Sequence, residues 1–528
     1  MTRTLYRNGR FFTGAEPADA VVVDHGSFSF VGTEADAPDA DAVVDLDGRT
    51  VLPGFVDAHT HLLMLGDALG QVGLTDAHSL DEIQARLRDA RESVTTVLRG
   101  RGWLFDAIPG GAPTAAMIDA AVADIPVYLD ANDYHSCWVN TAALAELGIT
   151  RETPDPIGGR IERDADGEPT GLLTETAAQQ FAWAHRDATA TDAQRDEGVE
   201  RVVASYLAAG VTGAVDMAFD ELGLAALERA ARRDALPLRI AAHWFVANTG
   251  DDAENLAQVE VAAARASAQT DGVRVIGIKL VLDGTIDACT AAMGAPYADG
   301  SNAEPIWPAE LLLPVVAAAD AAGLQIAMHA IGDAASTLAL DAIEHAIAVN
   351  GDLPRRHRIE HLEYAAPGTA ERMARLGVTA SMQPVHADPA IFANWAAQLG
   401  GDERTHRAFA WPEYEDAGAL LAFSTDAPTA PLEALANMYV ATTRASALDP
   451  AVPAAHPQFA LPLERAITHA TADAAASIGD GSWLGRIAPG YAADFAVLDA
   501  DPFDADPGVL RTVRIVQTII GGRTVFQA

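Results

Sequence analysis

Lysine is all but missing from this chain. Of 35 basic residues in 528, one is lysine, Lys279, and every other is arginine. Cysteine is almost as scarce. Cys137 and Cys289 stand far apart in sequence, which excludes a disulfide framework or a cysteine-based zinc site and fits a reducing compartment. No apolar run approaches the ~18–20 residues of a membrane span. Residues 1–10 carry no apolar stretch behind their charges, so they do not read as a signal peptide, and a cytoplasmic protein is expected. Excess positive charge is missing too: 35 bases against 74 acids leave a net −39, with a pI near 4.5. Such a field repels nucleic acid and anionic membranes, so neither is expected as a partner. The acids are spread along the whole chain. That distribution points to a halophilic host, where a Debye length of ~3 Å at molar salt removes the self-repulsion. What is present is ample apolar chain. Hydrophobic residues make up 49% and mean hydropathy is +0.09, which excludes a mainly disordered protein.

Both ends of the chain show short β-like runs separated by Gly, Asp and Pro turn signals, such as Val21-Val22-Val23 and Val513 to Ile520. Neither end can bury a core alone. Residues 1–52 and 486–528 are therefore expected to pair into one small β-sandwich domain. Residues 53–485 alternate buried-strand runs with Ala-rich helical stretches, the pattern of parallel βα units. Eight strands are expected, at 51–59, 211–217, 238–246, 274–282, 324–330, 357–362, 378–383 and 420–425. Helices are expected at 222–234, 308–322, 333–348 and 368–376. Eight such units make an α/β fold of the TIM (β/α)8 barrel type. The first connection is too long for one helix and must hold an inserted subdomain at about 65–200.

In such a barrel the carboxyl ends of the strands face the active site. The first strand ends in Asp57-Ala58-His59-Thr60-His61. Side chains two apart share a strand face, so His59 and His61 converge in a way that suits one divalent metal. The fourth strand places Lys279 among apolar residues, where an unpaired ammonium is costly, so a neutral or modified amine or a close anion is implied. The fifth ends at His329, the sixth at His361 and the eighth at Asp426. Each residue alone has an ordinary explanation, as a core histidine or a helix-capping aspartate. Their joint placement on strands one, four, five, six and eight does not.

These motifs resemble the amidohydrolase superfamily, and within it the amidohydrolase-3 group that includes N-substituted formamide deformylase. The resemblance runs through Pro53 to Leu62, His135-Ser136-Cys137-Trp138-Val139-Asn140, Lys279 with Asp283-Gly284, His329 to Asp333, Arg358-Ile359-Glu360-His361, Ser424 to Pro428 and Gly490 to Phe495. It covers essentially the whole chain. It implies a zinc site of one or two ions, with His59 and His61 on the more buried ion and His329 and His361 on the second. Lys279 would be carboxylated to a carbamate bridging the two ions, a role arginine cannot fill. Asp426 would touch the metal and carry the proton from the attacking water to the leaving nitrogen. His135, from the insertion, would reach the substrate.

The expected activity is metal-dependent hydrolysis of a non-peptide carbon–nitrogen bond in a small-molecule amide or N-acyl substrate. Two rivals are a deaminase of an amino-heterocycle and a non-catalytic barrel scaffold. The bridging lysine argues against the first, and a competent residue at each ligand position argues against the second. His243 and His386, near strands three and seven, are each a substrate-contact candidate, with a core or capping role favoured. Asp283 and Asp333 are expected to fix loops and Cys289 to pack; Glu175 has no assigned role. The assembly is left open, with a homodimer as the candidate.

Overall fold

The computed structural model describes residues 3–14, 17–268, 272–392, 394–504 and 506–528. Eight parallel strands, numbered here β1 to β8, pair in chain order. They are β1 (Phe55–Thr60), β2 (Val211–Phe219), β3 (Arg239–Phe245), β4 (Val273–Val281), β5 (Gln325–Ala330), β6 (Arg358–His361), β7 (Thr379–Met382) and β8 (Leu421–Phe423). Their residues are buried on both faces, which is why they appear in sequence as near-continuous apolar runs. Helices such as Glu221–Arg232, Ala309–Ala321, Asp333–Asn350 and Thr369–Leu376 connect them, within one or two residues of the expected spans. The result is a nearly closed TIM-like barrel.

The seam is closed by hydrogen bonds just past the end of β8 rather than by a ladder. The Asp426 amide donates to the His59 carbonyl (2.8 Å), and the His61 amide donates to the Ala427 carbonyl (3.0 Å). Asp57 accepts from the Thr425 amide (2.9 Å) and hydroxyl, and from the Tyr206 hydroxyl (2.9 Å). The segment carrying Asp426 is thus held against the segment carrying His59 and His61.

The expected first strand, 51–59, is two strands. Thr50–Pro53 pairs antiparallel with Phe495–Leu498 in a separate sheet, and β1 begins at Phe55. Gly54 makes the break. Its amide donates to the Asp494 carbonyl (2.9 Å), and a Cβ there would fall 2.3 Å from the Thr212 hydroxyl oxygen. No side chain fits at that crossing, whereas the apolar pattern runs through it unchanged.

Residues from both ends of the chain meet in that separate five-stranded sheet, ordered Arg10–Phe11, Thr50–Pro53, Phe495–Leu498, Ile515–Ile520, Arg523–Gln527. A four-stranded sheet of Ser27–Gly32, Ala20–Asp24, Thr4–Arg7 and Ala42–Asp45 adjoins it. Tyr6, Phe28, Val51, Phe495 and Ile519 from the two sheets lie in one apolar cluster. Between β1 and β2 the chain builds a six-stranded sheet of residues 72–175 with its own apolar clusters. A π-helical turn, Ala178–Trp183, then runs into the helix Ala184–Thr189. The expected insertion boundary at about 200 falls inside Asp192–Ala208, a helix that packs against Leu62–Ala68 and β2.

Candidate metal centre

The barrel topology gathers the six candidate ligands at one end. His59 sits near the end of β1, and His61 begins the helix Leu62–Ala68. Lys279 is on β4, His329 on β5 and His361 at the last position of β6; Asp426 follows β8. His59 Nε2 and His61 Nε2 lie 3.1 and 2.9 Å from the same oxygen, Asp426 Oδ1. The His59 and His361 rings are 4.9 Å apart between centroids, and the His361 and His329 rings 4.4 Å. His361 and Asp426 both have left-handed backbones, with φ of 76° and 58°. Such conformations are uncommon for residues with side chains.

Neighbouring side chains fix these ligands. His59 Nδ1 lies 2.7 Å from Glu360 Oε2, and Arg358 Nε donates to the other Glu360 oxygen at 2.5 Å. Arg358 also donates to the Ala58 carbonyl (2.8 Å) and the Ser381 hydroxyl (2.6 Å). Glu360 is fully buried, which opposes its ionisation, yet the Arg358 guanidinium holds it well below the usual carboxylate range. A carboxylate on Nδ1 fixes the imidazole tautomer and leaves Nε2 free to coordinate. His361 Nδ1 lies 2.9 Å from Gln383 Oε1. Burial also opposes charge on Asp426, but His59 and His61 lower its pKa well below the ordinary value. Burial pushes His329 and His361 well below 6.5, so both present neutral imidazoles.

The donors suit a divalent cation, because polar atoms are buried there without a hydrogen bond. Among the described residues His59 Nε2 and Asp426 Oδ1, only 3.1 Å apart, and Lys279 Nζ are buried and meet no hydrogen-bond geometry. An unpaired buried charge is too costly to retain unless something compensates it. Two sets of donor atoms lie within 4.8 Å of one another: His59, His61 and Asp426, and His361, His386 and Asp426. His386, expected by preference to fill a core or capping role, thus lies beside the candidate cluster. Its Nδ1 is 2.8 Å from Glu363 Oε1 and its Nε2 3.0 Å from the Thr429 hydroxyl. His329 falls in neither set; its Nε2 is 3.4 Å from the Gly284 carbonyl and 3.5 Å from Asp283 Oδ1.

Among the described residues Lys279 Nζ makes no hydrogen bond, and burial lowers its pKa to about 8 against the opposing pull of the Glu360 and Asp426 carboxylates. Asp283 is not its partner. Its carboxylate accepts from the backbone amides of Ala292, Ile331 and Gly332 at 2.8–3.0 Å and so fixes the loops after β4 and β5. Asp333 likewise accepts from the Gly294 amide at 2.6 Å. Cys289 is half-buried, with its thiol 3.2 Å from Gln398 Oε1. His243 is buried beside Gln325, 3.0 Å away, and burial pushes its pKa down to about 3. It does not line the cavity over the candidate ligands.

The insertion supplies His135, whose ring lies 5.2 Å from that of His329. Its Nδ1 is 2.7 Å from Glu175 Oε2, and the Glu175 amide donates to the His135 carbonyl at 2.7 Å. Burial alone would lower the His135 pKa, but the Glu175 carboxylate more than offsets it and raises it to about 9. Gly284 completes this fit: a Cβ there would fall 2.1 Å from Glu175 Oε1. The sequence left Glu175 without a role and missed Glu360, Gln383 and Glu363 as partners of the imidazoles. Glu360 precedes His361 in a motif already singled out, whereas Glu363 and Gln383 carried no signal. A cavity of about 370 Å³ opens over the cluster, walled by the barrel mouth and by the insertion through Trp183 and Arg186.

The family model described as amidohydrolase family matches residues 42–526. Over 96% of its length the chain is 31% identical to the putative amidohydrolase YtcJ of Bacillus subtilis, covering 95% of that protein. It is 28% identical to N-substituted formamide deformylase of Arthrobacter pascens, over 96% of this chain and 94% of the relative. Among solved structures, an uncharacterized metal-dependent hydrolase from Pyrococcus horikoshii superposes with a TM-score of 0.75 and 26% identity, covering 96% of this chain and 99% of that one.

Proposed function

The chain belongs to the amidohydrolase family, and from that premise we propose that it is a cytoplasmic, zinc-dependent hydrolase of non-peptide carbon–nitrogen bonds in amide or N-acyl compounds. The carrying observation is the chain's one lysine, buried and without a partner beside a cluster of histidines and an aspartate at a barrel mouth. His59, His61, His329, His361 and Asp426 would hold the metal, with Lys279 as a carbamate between two ions. A divalent ion there polarises a scissile carbonyl and lowers the pKa of a water toward ~7.

Lys279 prepares the site. Its neutral amine forms an N–C bond to carbon dioxide and releases one proton, which converts a would-be buried cation into an anion with two oxygens. Burial favours that step, because a pKa near 8 leaves more free amine at neutral pH than an exposed lysine has. Asp426, ionised and facing the cluster, takes the proton of the attacking water and hands it to the departing nitrogen as the C–N bond breaks. Glu360 and Gln383 keep the imidazoles of His59 and His361 aimed inward. His135, charged below about pH 9 and anchored by Glu175, donates a hydrogen bond to the carbonyl oxygen as negative charge develops there.

Lys279→Arg tests this reading most directly, since arginine keeps charge and bulk but cannot form a carbamate. The expected result is loss of at least one metal equivalent by elemental mass spectrometry and of amide hydrolysis, with unchanged circular dichroism. Lys279→Ala should lose the same properties, with activity partly restored by added short carboxylic acids. Full metal occupancy and normal turnover in the arginine variant would overturn the bridged site.

A further inference from the structure

A groove lies where the barrel meets the sheet that joins the chain ends, and it shares no lining residue with the cavity over the candidate ligands. Its volume is about 630 Å³, within the range of small-molecule sites. The helix Ala434–Thr443, the turn Pro507–Arg511 and the strands Ile515–Ile520 and Arg523–Gln527 contribute its walls. Leu435, Leu448, Leu510, Val513, Ile515 and Phe526 make its lining apolar. Leu448 is 40% exposed, an apolar side chain left uncovered. An apolar groove rimmed by polar residues is a sign of a ligand site.

Its charges are mainly of the sign this chain has least of. Arg511 and Arg514 both line the groove and are both exposed. Among the described residues neither guanidinium meets a carboxylate or donates a hydrogen bond. Arg511 lies over the Tyr439 ring, 5.7 Å from its centroid. Arg514 is anchored by its backbone, its amide donating to Asp499 at 2.8 Å. Of the acids on the same wall, Asp388 is buried, and its carboxylate is taken by the amides of Ala390, Ala447 and Leu448 at 2.7–3.3 Å. Glu433 is the one exposed acidic side chain in the lining. Two uncommitted guanidiniums thus outnumber it, and the planar fork of arginine matches a carboxylate oxygen for oxygen.

We propose that this groove is a second ligand site, one that takes a linear aliphatic carboxylate. The chain lies on the apolar lining and the carboxylate is held by Arg511 and Arg514. At ~30 Å³ per heavy atom the space admits up to about twenty, so a medium-length chain such as octanoate fits within it. The site stands apart from the candidate metal centre and requires no particular chemistry there.

The test uses the full-length, metal-loaded protein in about 1 M salt, where a Debye length of ~3 Å screens the repulsion between an anion and the acidic surface. Calorimetry measures dissociation constants for octanoate, butanoate and octan-1-ol. Octanoate should bind at least about tenfold more tightly than either of the others, since one lacks the long chain and the other the charge. Arg511→Ala combined with Arg514→Ala should weaken octanoate about tenfold and leave octan-1-ol within about twofold. Ala436→Trp, which fills the groove, should weaken octanoate at least about tenfold with both arginines in place. Leu448→Glu, at an exposed position, should do the same by setting a like charge beside the site, and it decides the matter if the tryptophan is not tolerated. Octanoate binding that is undetectable in the wild type, or unchanged in the arginine variant or in the groove variants, would overturn the proposal. Unchanged binding is what a carboxylate seated only on the metal would give. A wild-type protein that sediments as two chains, becomes one chain in Ala436→Trp and ignores octanoate would assign the groove to a second copy and overturn the proposal equally.

Discussion

His135 is the residue on which the barrel and its insertion meet chemically. Burial alone would strip its proton, and Glu175 Oε2 at 2.7 Å reverses that, raising the pKa to about 9. The charged form is therefore dominant below about pH 9 and lost above it. If that proton stabilises the carbonyl oxygen, kcat/KM holds level up to about pH 9 and then falls about tenfold per pH unit. In Glu175→Gln the same descending limb should move down by a unit or more, toward the ordinary ~6.5 of histidine. A limb that stays in place would show that another group carries it. The stability linkage has the same sign. The His135–Glu175 pair contributes fully below the unfolded pKa of ~6.5, and that contribution is lost as pH rises through about 9.

At the scale of elements, one short stretch has two tasks. Thr50–Pro53 belongs to the sheet that joins the chain ends, and β1 starts two residues later and ends at the candidate ligands. Phe495 is the central contact on the far side: fully buried, 5.2 Å edge-on to Tyr6 and 5.9 Å from Phe28. It joins residues almost 500 positions apart. Phe495→Ala should cost about 3–5 kcal/mol, the usual range for emptying a buried aromatic site. Denaturant unfolding of the variant measures that loss. A cost below about 1 kcal/mol would mean the two ends do not depend on each other for stability. Deleting 486–528 exposes the Thr50–Pro53 edge and should yield aggregation rather than a soluble, active enzyme.

The whole molecule carries 39 more acids than bases. Where the arginines are placed, several are shared efficiently: Asp196 takes Arg229 at 2.7 Å on one oxygen and Arg233 at 2.7 Å on the other. If this surface is an adaptation to high salt, counterions do the neutralising that lysine does elsewhere. Lowering salt from molar concentration to 0.1 M lengthens the Debye length from ~3 to ~10 Å. The melting temperature should fall across that range by several degrees, each kcal/mol of added repulsion in a chain this long being worth about 2–4 °C or less. A melting temperature independent of salt would make the acidity incidental. Among the described residues no helix is long and apolar enough to cross a membrane.

Some of this was legible from residues alone. A parallel barrel buries both faces of its strands, so eight apolar runs stand out without any tertiary information, and the candidate ligand histidines follow from asking what lies at their ends. The isolation of Lys279 is a property of composition and needs no coordinates. The break at Gly54 was not legible, because an apolar run looks the same whether or not the chain changes sheets within it. Glu363 was not legible either, and His386, named as a substrate-contact candidate, could not be told by sequence from a core or capping histidine. Only the return of the chain after β7 sets His386 Nε2 3.7 Å from Asp426 Oδ2, and no periodicity records which loops face each other across a barrel mouth. The cavity over the cluster belongs wholly to tertiary structure. Its wall combines the insertion with β2, β3 and β4. The sequence by itself determined which residue types stand at the strand ends, since residue type and strand position are local properties. The space left for a substrate was decided only where distant segments packed together.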